Sequence, residues 1–154
     1  MIAILQRNLA TRGTIFDQAS VIDGARRTIG QANLPSRCEC VAGDFFESVP
    51  SGGDAYILAS IVHDWDDDYC QRILRSCRQA MAEHAKLLLV EMVIPPGDEI
   101  SDGKWLDLEM LVCFGGRERT GEEYRRLLAE AGYRLTRIVP TGTAASVIEA
   151  VPVS

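Results

Sequence analysis

Two nearly continuous apolar runs, DAYILASIV (54–62) and KLLLVEMVI (86–94), bracket the amphipathic segment DDDYCQRILRSCRQAMAEHA (66–85). A strand apolar at every position is buried on both faces, which is the habit of a parallel strand covered by helices. The segment between them has helical periodicity, with Tyr69, Ile73, Leu74, Cys77 and Met81 expected on one buried stripe. Apolar strand, amphipathic helix and apolar strand make a βαβ unit, and this constrains the fold to the α/β class.

The same alternation runs along the chain. IAILQRNL (2–9) is helical and RGTIFD (12–17) is a short strand. SVIDGARRTIGQANL (20–34) is a helix with Ser20 as expected N-cap and Asp23 three residues on. RCECVAG (37–43) is strand-like, KWLDLEMLVCF (104–114) is helical, and GEEYRRLLAEAGY (121–133) is a helix closed at Gly132. RLTRIVPT (134–141) and AASVIEAVPV (144–153) are strands close enough in sequence to pair antiparallel. The expected architecture is one sheet with helices on both faces and an antiparallel edge pair. In such sheets ligands gather beyond the carboxyl ends of the parallel strands. Asp17, Asp44, His63 and Glu91 all fall at or near those ends, although strand-end aspartates also serve simply as helix caps.

Composition excludes several functions. A net charge of −6 argues against a nucleic-acid partner. No apolar run approaches the ~18 residues of a membrane span, and the opening MIAILQRNLATRG lacks the basic and cleavage regions of a signal peptide. Five cysteines without a CxxC suggest neither a disulfide framework nor a zinc ribbon, so buried thiols in a reducing cytoplasm are expected. In SIVHDWDDDYC (60–70), Asp66, Asp67 and Asp68 suit a helix start, where acidic groups meet the positive end of the dipole. That leaves His63 and Trp65 unexplained. A metal site is chemically conceivable, but adjacent residues at one strand end rarely converge on one ion, and His84 lies far along the helix. No metal site is expected.

The segments RGTIFDQASVIDGA, VAGDFFESVP, LASIVHDWDDDYCQRIL, LLLVEMVIP and GGRERTGEEYRRLLAEAGY closely resemble the S-adenosylmethionine-dependent O-methyltransferases of the caffeic acid, acetylserotonin and bacterial polyketide type. The resemblance implies a Rossmann-like sheet with S-adenosylmethionine as cofactor. It implies that Asp17 receives the cofactor ribose, and that Asp44 and Phe45 receive the adenine amino group and cover its ring. Of Phe45 and Phe46, at least one is expected to be core packing alone. His63 is implied as general base, flanked by Glu91 and Glu118, and the substrate is a small hydroxylated aromatic. Trp105, Met110 and Phe114 are candidate pocket walls, with core packing the stronger alternative for each. A homo-oligomer is also expected.

Two departures stand out. The acidic ribose ligand normally follows a glycine-rich turn by ~20 residues, which places that turn before Met1, and Gly13, Gly24 and Gly30 are isolated. Residues 1–154 are thus expected to be a partial catalytic domain, without the first strand, the glycine-rich loop or the family's amino-terminal dimerisation domain. The absent strand would lie between those ending at Asp17 and His63. Ala59 stands where many relatives carry a basic residue beside the cofactor. The alternative function is a non-catalytic, self-associating remnant, and a nucleotide-binding oxidoreductase is a weaker one.

Overall fold

The computed structural model describes residues 1–99, 101–113 and 115–153, and the Asp102 side chain lies outside that description. The chain divides into two compact units, Met1–Pro50 and Ser51–Ser154.

The first unit is α1 (Ile2–Arg7), β1 (Gly13–Asp17), α2 (Ala19–Gln31) and β2 (Cys38–Ala42). β1 and β2 pair in parallel, from Gly13 opposite Cys38 to Asp17 opposite Ala42. Leu5, Ile29, Leu34 and Cys38 form the core, with Ile2, Ile15, Ala32 and Cys40 packed against it. The last carbonyls of α1 and the turn after it would lack partners. Arg37 supplies them, its guanidinium donating to the carbonyls of Leu5, Asn8, Leu9 and Thr11. The N-cap of α2 is Gln18 rather than the expected Ser20, which lies inside the helix. Asp17 Oδ1 accepts from the Gln18 N–H at 2.7 Å, and among the described residues no side chain caps the N-terminus of α2.

The second unit contains β3 (Ala55–Ala59), α3 (Asp67–Ala80), β4 (Lys86–Ile94), α4 (Asp102–Cys113), β5 (Arg119–Thr120), α5 (Gly121–Glu130), β6 (Tyr133–Pro140) and β7 (Ala145–Pro152). Its strands run in the order β3-β4-β7-β6, with β5 extending the end of β4. β3 and β5 are parallel to β4, whereas β7 is antiparallel to both β4 and β6. The chain thus folds as an α/β protein with a mixed sheet and an antiparallel strand pair. Instead of one sheet, the described residues form a two-stranded and a five-stranded sheet, and β1 and β3 each keep one edge without a partner.

Leu87, Leu89 and Glu91 are buried at alternating positions of β4, so the pleat sends the glutamate to the same face as the two leucines. α3 is capped by Asp66, which accepts from the Tyr69 N–H at 2.9 Å, with Asp67 and Asp68 in its first turn. Cys70, Ile73, Leu74 and Cys77 are buried on it, but Tyr69 is 43% exposed, against expectation, because it begins the stripe at the helix edge. Thr120 and Glu123 form a reciprocal capping box at α5, and Gly132 follows that helix in the left-handed region at φ 83°. Cys38, Cys70 and Cys77 are buried free thiols, whereas Cys40 is half-buried and Cys113 exposed. No helix among the described residues is long and apolar enough to cross a membrane.

Candidate active site

His63 does not end a strand, as the apolar run suggested. β3 stops at Ala59, Ser60 takes a left-handed conformation at φ 53°, and His63 sits in the single 3-10 turn Val62–Asp64. A left-handed serine is costly without local compensation. Here the three N–H groups that follow β3 all find acceptors. The Ser60 N–H donates to the Val90 carbonyl at 3.1 Å, and those of Ile61 and Val62 donate to Glu91 Oε1 at 3.0 and 2.9 Å. Glu91 therefore grips the backbone of the histidine turn rather than the imidazole.

Glu118 holds the ring. Its Oε1 lies 2.8 Å from His63 Nδ1, and its side chain is 0% exposed against 17% for the histidine. With Glu118 ionised, Nδ1 is the donor, which leaves Nε2 as the acceptor of the neutral ring. Asp64 Oδ1 stands 3.5 Å from Nε2, longer than a good hydrogen bond. Burial alone would push the imidazole pKa down. The Glu118 hydrogen bond and the charges of Glu91, Glu118 and Asp64 outweigh it and hold His63 above its ordinary value. Burial raises the Glu118 carboxyl above the usual range against the pull of His63, and raises Glu91 against the Val62 and Ile61 N–H groups. The second oxygens of Glu91 and Glu118 are buried and make no hydrogen bond among the described residues.

Several site residues escaped the sequence reading. Arg119 is fully buried. Its guanidinium donates to the carbonyls of Val62 (3.0 Å), Trp65 (2.9 Å) and Arg117 (3.2 Å), and to Asp67 Oδ1 at 2.7 and 3.1 Å. Asp107 on α4 accepts from the Glu118 N–H at 2.8 Å. Cys70 Sγ donates to the Val62 carbonyl at 3.2 Å, and burial pushes this thiol up to about 11, so it stays protonated. Nothing in the spacing of RERT distinguishes the buried arginine from an exposed one.

The glycine pair before RERT did carry a signal. Arg117 N–H donates to the His63 carbonyl at 2.9 Å, and a Cβ at Gly116 would overlap that same carbonyl oxygen. Backbone cannot step aside as a side chain tip can. Gly116→Ala is expected to destabilise the fold by about 1–3 kcal/mol in urea unfolding and to displace His63 from Glu118, visible as a shifted His63 ring resonance.

Asp17, Asp44 and Phe45 lie in the first unit, whereas His63, Glu91 and Glu118 lie in the second. Asp17 is the last residue of β1, and the Gly43 N–H donates to its carbonyl at 3.0 Å, so the two strand ends are adjacent. Asp44 Oδ1 accepts from the Phe46 N–H at 2.8 Å. Both carboxylates are exposed, each with one oxygen engaged by its own turn and one open. Phe45 and Phe46 are half-buried, their rings meeting edge-on at 4.8 Å between centroids. Open acceptor oxygens and an aromatic face at the carboxyl ends of parallel strands fit a ligand with ribose hydroxyls and a purine.

Of the candidate pocket walls, Met110 is buried, Trp105 is 70% exposed and Phe114 lies outside the described residues. His84 is exposed. Among the described residues no three His, Cys, Asp or Glu side chains are grouped to hold a metal ion.

A family model described as an O-methyltransferase domain matches residues 3–134. The chain belongs to the O-methyltransferase family. It is 48% identical over 151 residues to a phenazine O-methyltransferase of Lysobacter antibioticus, covering 98% of this chain and 44% of that protein. The crystal structure of LaPhzM superposes with a TM-score of 0.94 at 47% identity, over 99% of this chain and 46% of that one. NcsB1, an O-methyltransferase from neocarzinostatin biosynthesis, was solved with S-adenosylmethionine and 2-hydroxy-5-methyl naphthoic acid. It matches at a TM-score of 0.89 and 32% identity, over 98% of this chain and 44% of its own. The chain thus spans less than half the length of the O-methyltransferases it matches.

Proposed function

We propose that residues 1–154 form part of an S-adenosylmethionine-dependent catalytic domain that methylates a hydroxyl of a small aromatic metabolite, with His63 as general base. The observation that carries this reading is the 2.8 Å contact between His63 Nδ1 and the fully buried Glu118. A phenol, with a pKa near ~10, is a poor nucleophile until it loses its proton. His63 Nε2 receives that proton while Glu118 accepts from Nδ1–H and stabilises the imidazolium that forms. Glu91 acts through the backbone, fixing the turn by the N–H groups of Ile61 and Val62. Bound S-adenosylmethionine supplies an electrophilic methyl group. Asp17 accepts from the ribose hydroxyls, Asp44 from the adenine amino group, and Phe45 covers the ring.

The five free cysteines support a cytoplasmic setting. Exposed Trp105, Leu108, Leu111 and Val112 on α4 support a homo-oligomer, to be read by light scattering.

Calorimetric titration with S-adenosylhomocysteine tests the cofactor half of the proposal. Asp17→Ala is expected to weaken binding about tenfold to hundredfold, as the loss of a charge-assisted hydrogen bond does. His63→Ala should leave binding intact. No binding by the folded protein at millimolar ligand would overturn the reading and favour a non-catalytic, self-associating protein.

A further inference from the structure

We propose that Arg119 is a positioning residue for the general base: its buried guanidinium fixes the turn Val62–Trp65 so that His63 meets Glu118. This rests on the reading of His63 as the base. Three consecutive residues hold this one turn. Arg117 donates its N–H to the His63 carbonyl at 2.9 Å, and Glu118 accepts from the imidazole at 2.8 Å. Arg119 binds the Val62 and Trp65 carbonyls, at 3.0 and 2.9 Å, on either side of His63 and Asp64.

The guanidinium is anchored from behind by Asp67 in the first turn of α3. Its position is set from the other side by β5, where Arg119 pairs with Val93 near the end of β4. One residue thereby ties three elements together, its guanidinium holding the histidine turn and the start of α3 and its backbone pairing with the end of β4. Burying an arginine is expensive unless its donors are met, and Nε, Nη1 and Nη2 each have partners here. A lysine keeps the charge but cannot bridge carbonyls and a carboxylate in a fixed fork.

The two deciding substitutions, Arg119→Lys and Asp67→Glu, conserve charge, so that geometry and not net charge is read. The groups acting on the His63 ring are Glu118 from the segment before β5, Glu91 from β4 and its neighbour Asp64, with Asp107 of α4 and Arg119 acting on Glu118. The chain has two histidines, so NMR titration of the full chain, assigned with His84→Gln, reports His63 directly. Glu118→Gln calibrates the readout and must lower the His63 midpoint. Arg119→Lys is expected to lower it by about 0.5–1 unit, from partial loss of a charged hydrogen bond. Asp67→Glu, at a half-exposed carboxylate, should lower it less.

A midpoint unmoved in folded Arg119→Lys overturns the proposal. Should that variant not fold, the Asp67→Glu midpoint decides in its place, and an unmoved value overturns it equally. Turnover is scored separately, with kcat expected to fall about tenfold and KM less than twofold. A shifted midpoint in a protein that transfers no methyl group would sink the proposed function while leaving the positioning role standing.

Discussion

Arg119→Ala is expected to lower the unfolding free energy by about 3–5 kcal/mol, measured by urea denaturation. The loss does not arise mainly from the broken ion pair. Asp67 is 53% exposed and regains water when its partner goes. The cost falls on the buried Val62 carbonyl and the part-buried Trp65 and Arg117 carbonyls, which lose a charged donor and keep at most the weak Cys70 thiol, at about 1–3 kcal/mol for a group left unsatisfied. A loss of that size is a large share of the ~5–15 kcal/mol that holds a typical domain. Arg117→Ala is the contrasting case. Its side chain is 40% exposed and its partners Glu123 and Asp67 are both reached by solvent, so less than about 1 kcal/mol is expected. Two arginines separated by one residue thus differ severalfold, because one is buried against backbone carbonyls and the other is exposed against carboxylates.

His63→Ala is expected to reduce methyl transfer by about 10²–10⁴-fold, the usual range for removing a general base. Affinity for S-adenosylhomocysteine should be unchanged, because the residues proposed for that ligand are Asp17, Asp44 and Phe45. The pH dependence has a fixed sign. Only the neutral imidazole accepts a proton, so the rate rises with pH as His63 is deprotonated. Burial shifts this limb toward acid, but the surrounding carboxylates shift it further toward base, placing it above the ordinary histidine value near ~6.5. Glu118→Gln should move the limb to lower pH and lower the plateau. A pH profile unchanged by Glu118→Gln would separate the rate from His63 altogether.

The periodicity of the chain was enough to read strands at 54–62 and 86–94 and the helix between them, because apolar alternation is a local property. Strand ends were less legible. The run DAYILASIV continues its apolar pattern to Val62, yet the chain leaves the sheet at Ala59. What ends the strand is Ser60, turned left-handed, and Glu91, a carboxylate thirty residues on that captures the next N–H groups. Ser20 looked like a helix cap, but α2 starts at Ala19 with Gln18 as its N-cap and no side-chain cap bond. At the strand end a side chain distant in sequence captured main-chain donors, which no local pattern shows.

The sequence by itself determined the α/β class, the antiparallel closing pair, the family resemblance and the candidates Asp17, Asp44, Phe45, His63, Glu91 and Glu118, since these follow from local periodicity and short motifs. Tertiary structure alone decided which acid does what. Glu91 lies on the leucine face of β4 and holds backbone, while Glu118 holds the imidazole. It alone decided that Arg119 is interior and Arg117 is not. Desolvation makes the difference: a charge's role depends on what surrounds it once the chain has closed, and neighbours in sequence do not fix those surroundings.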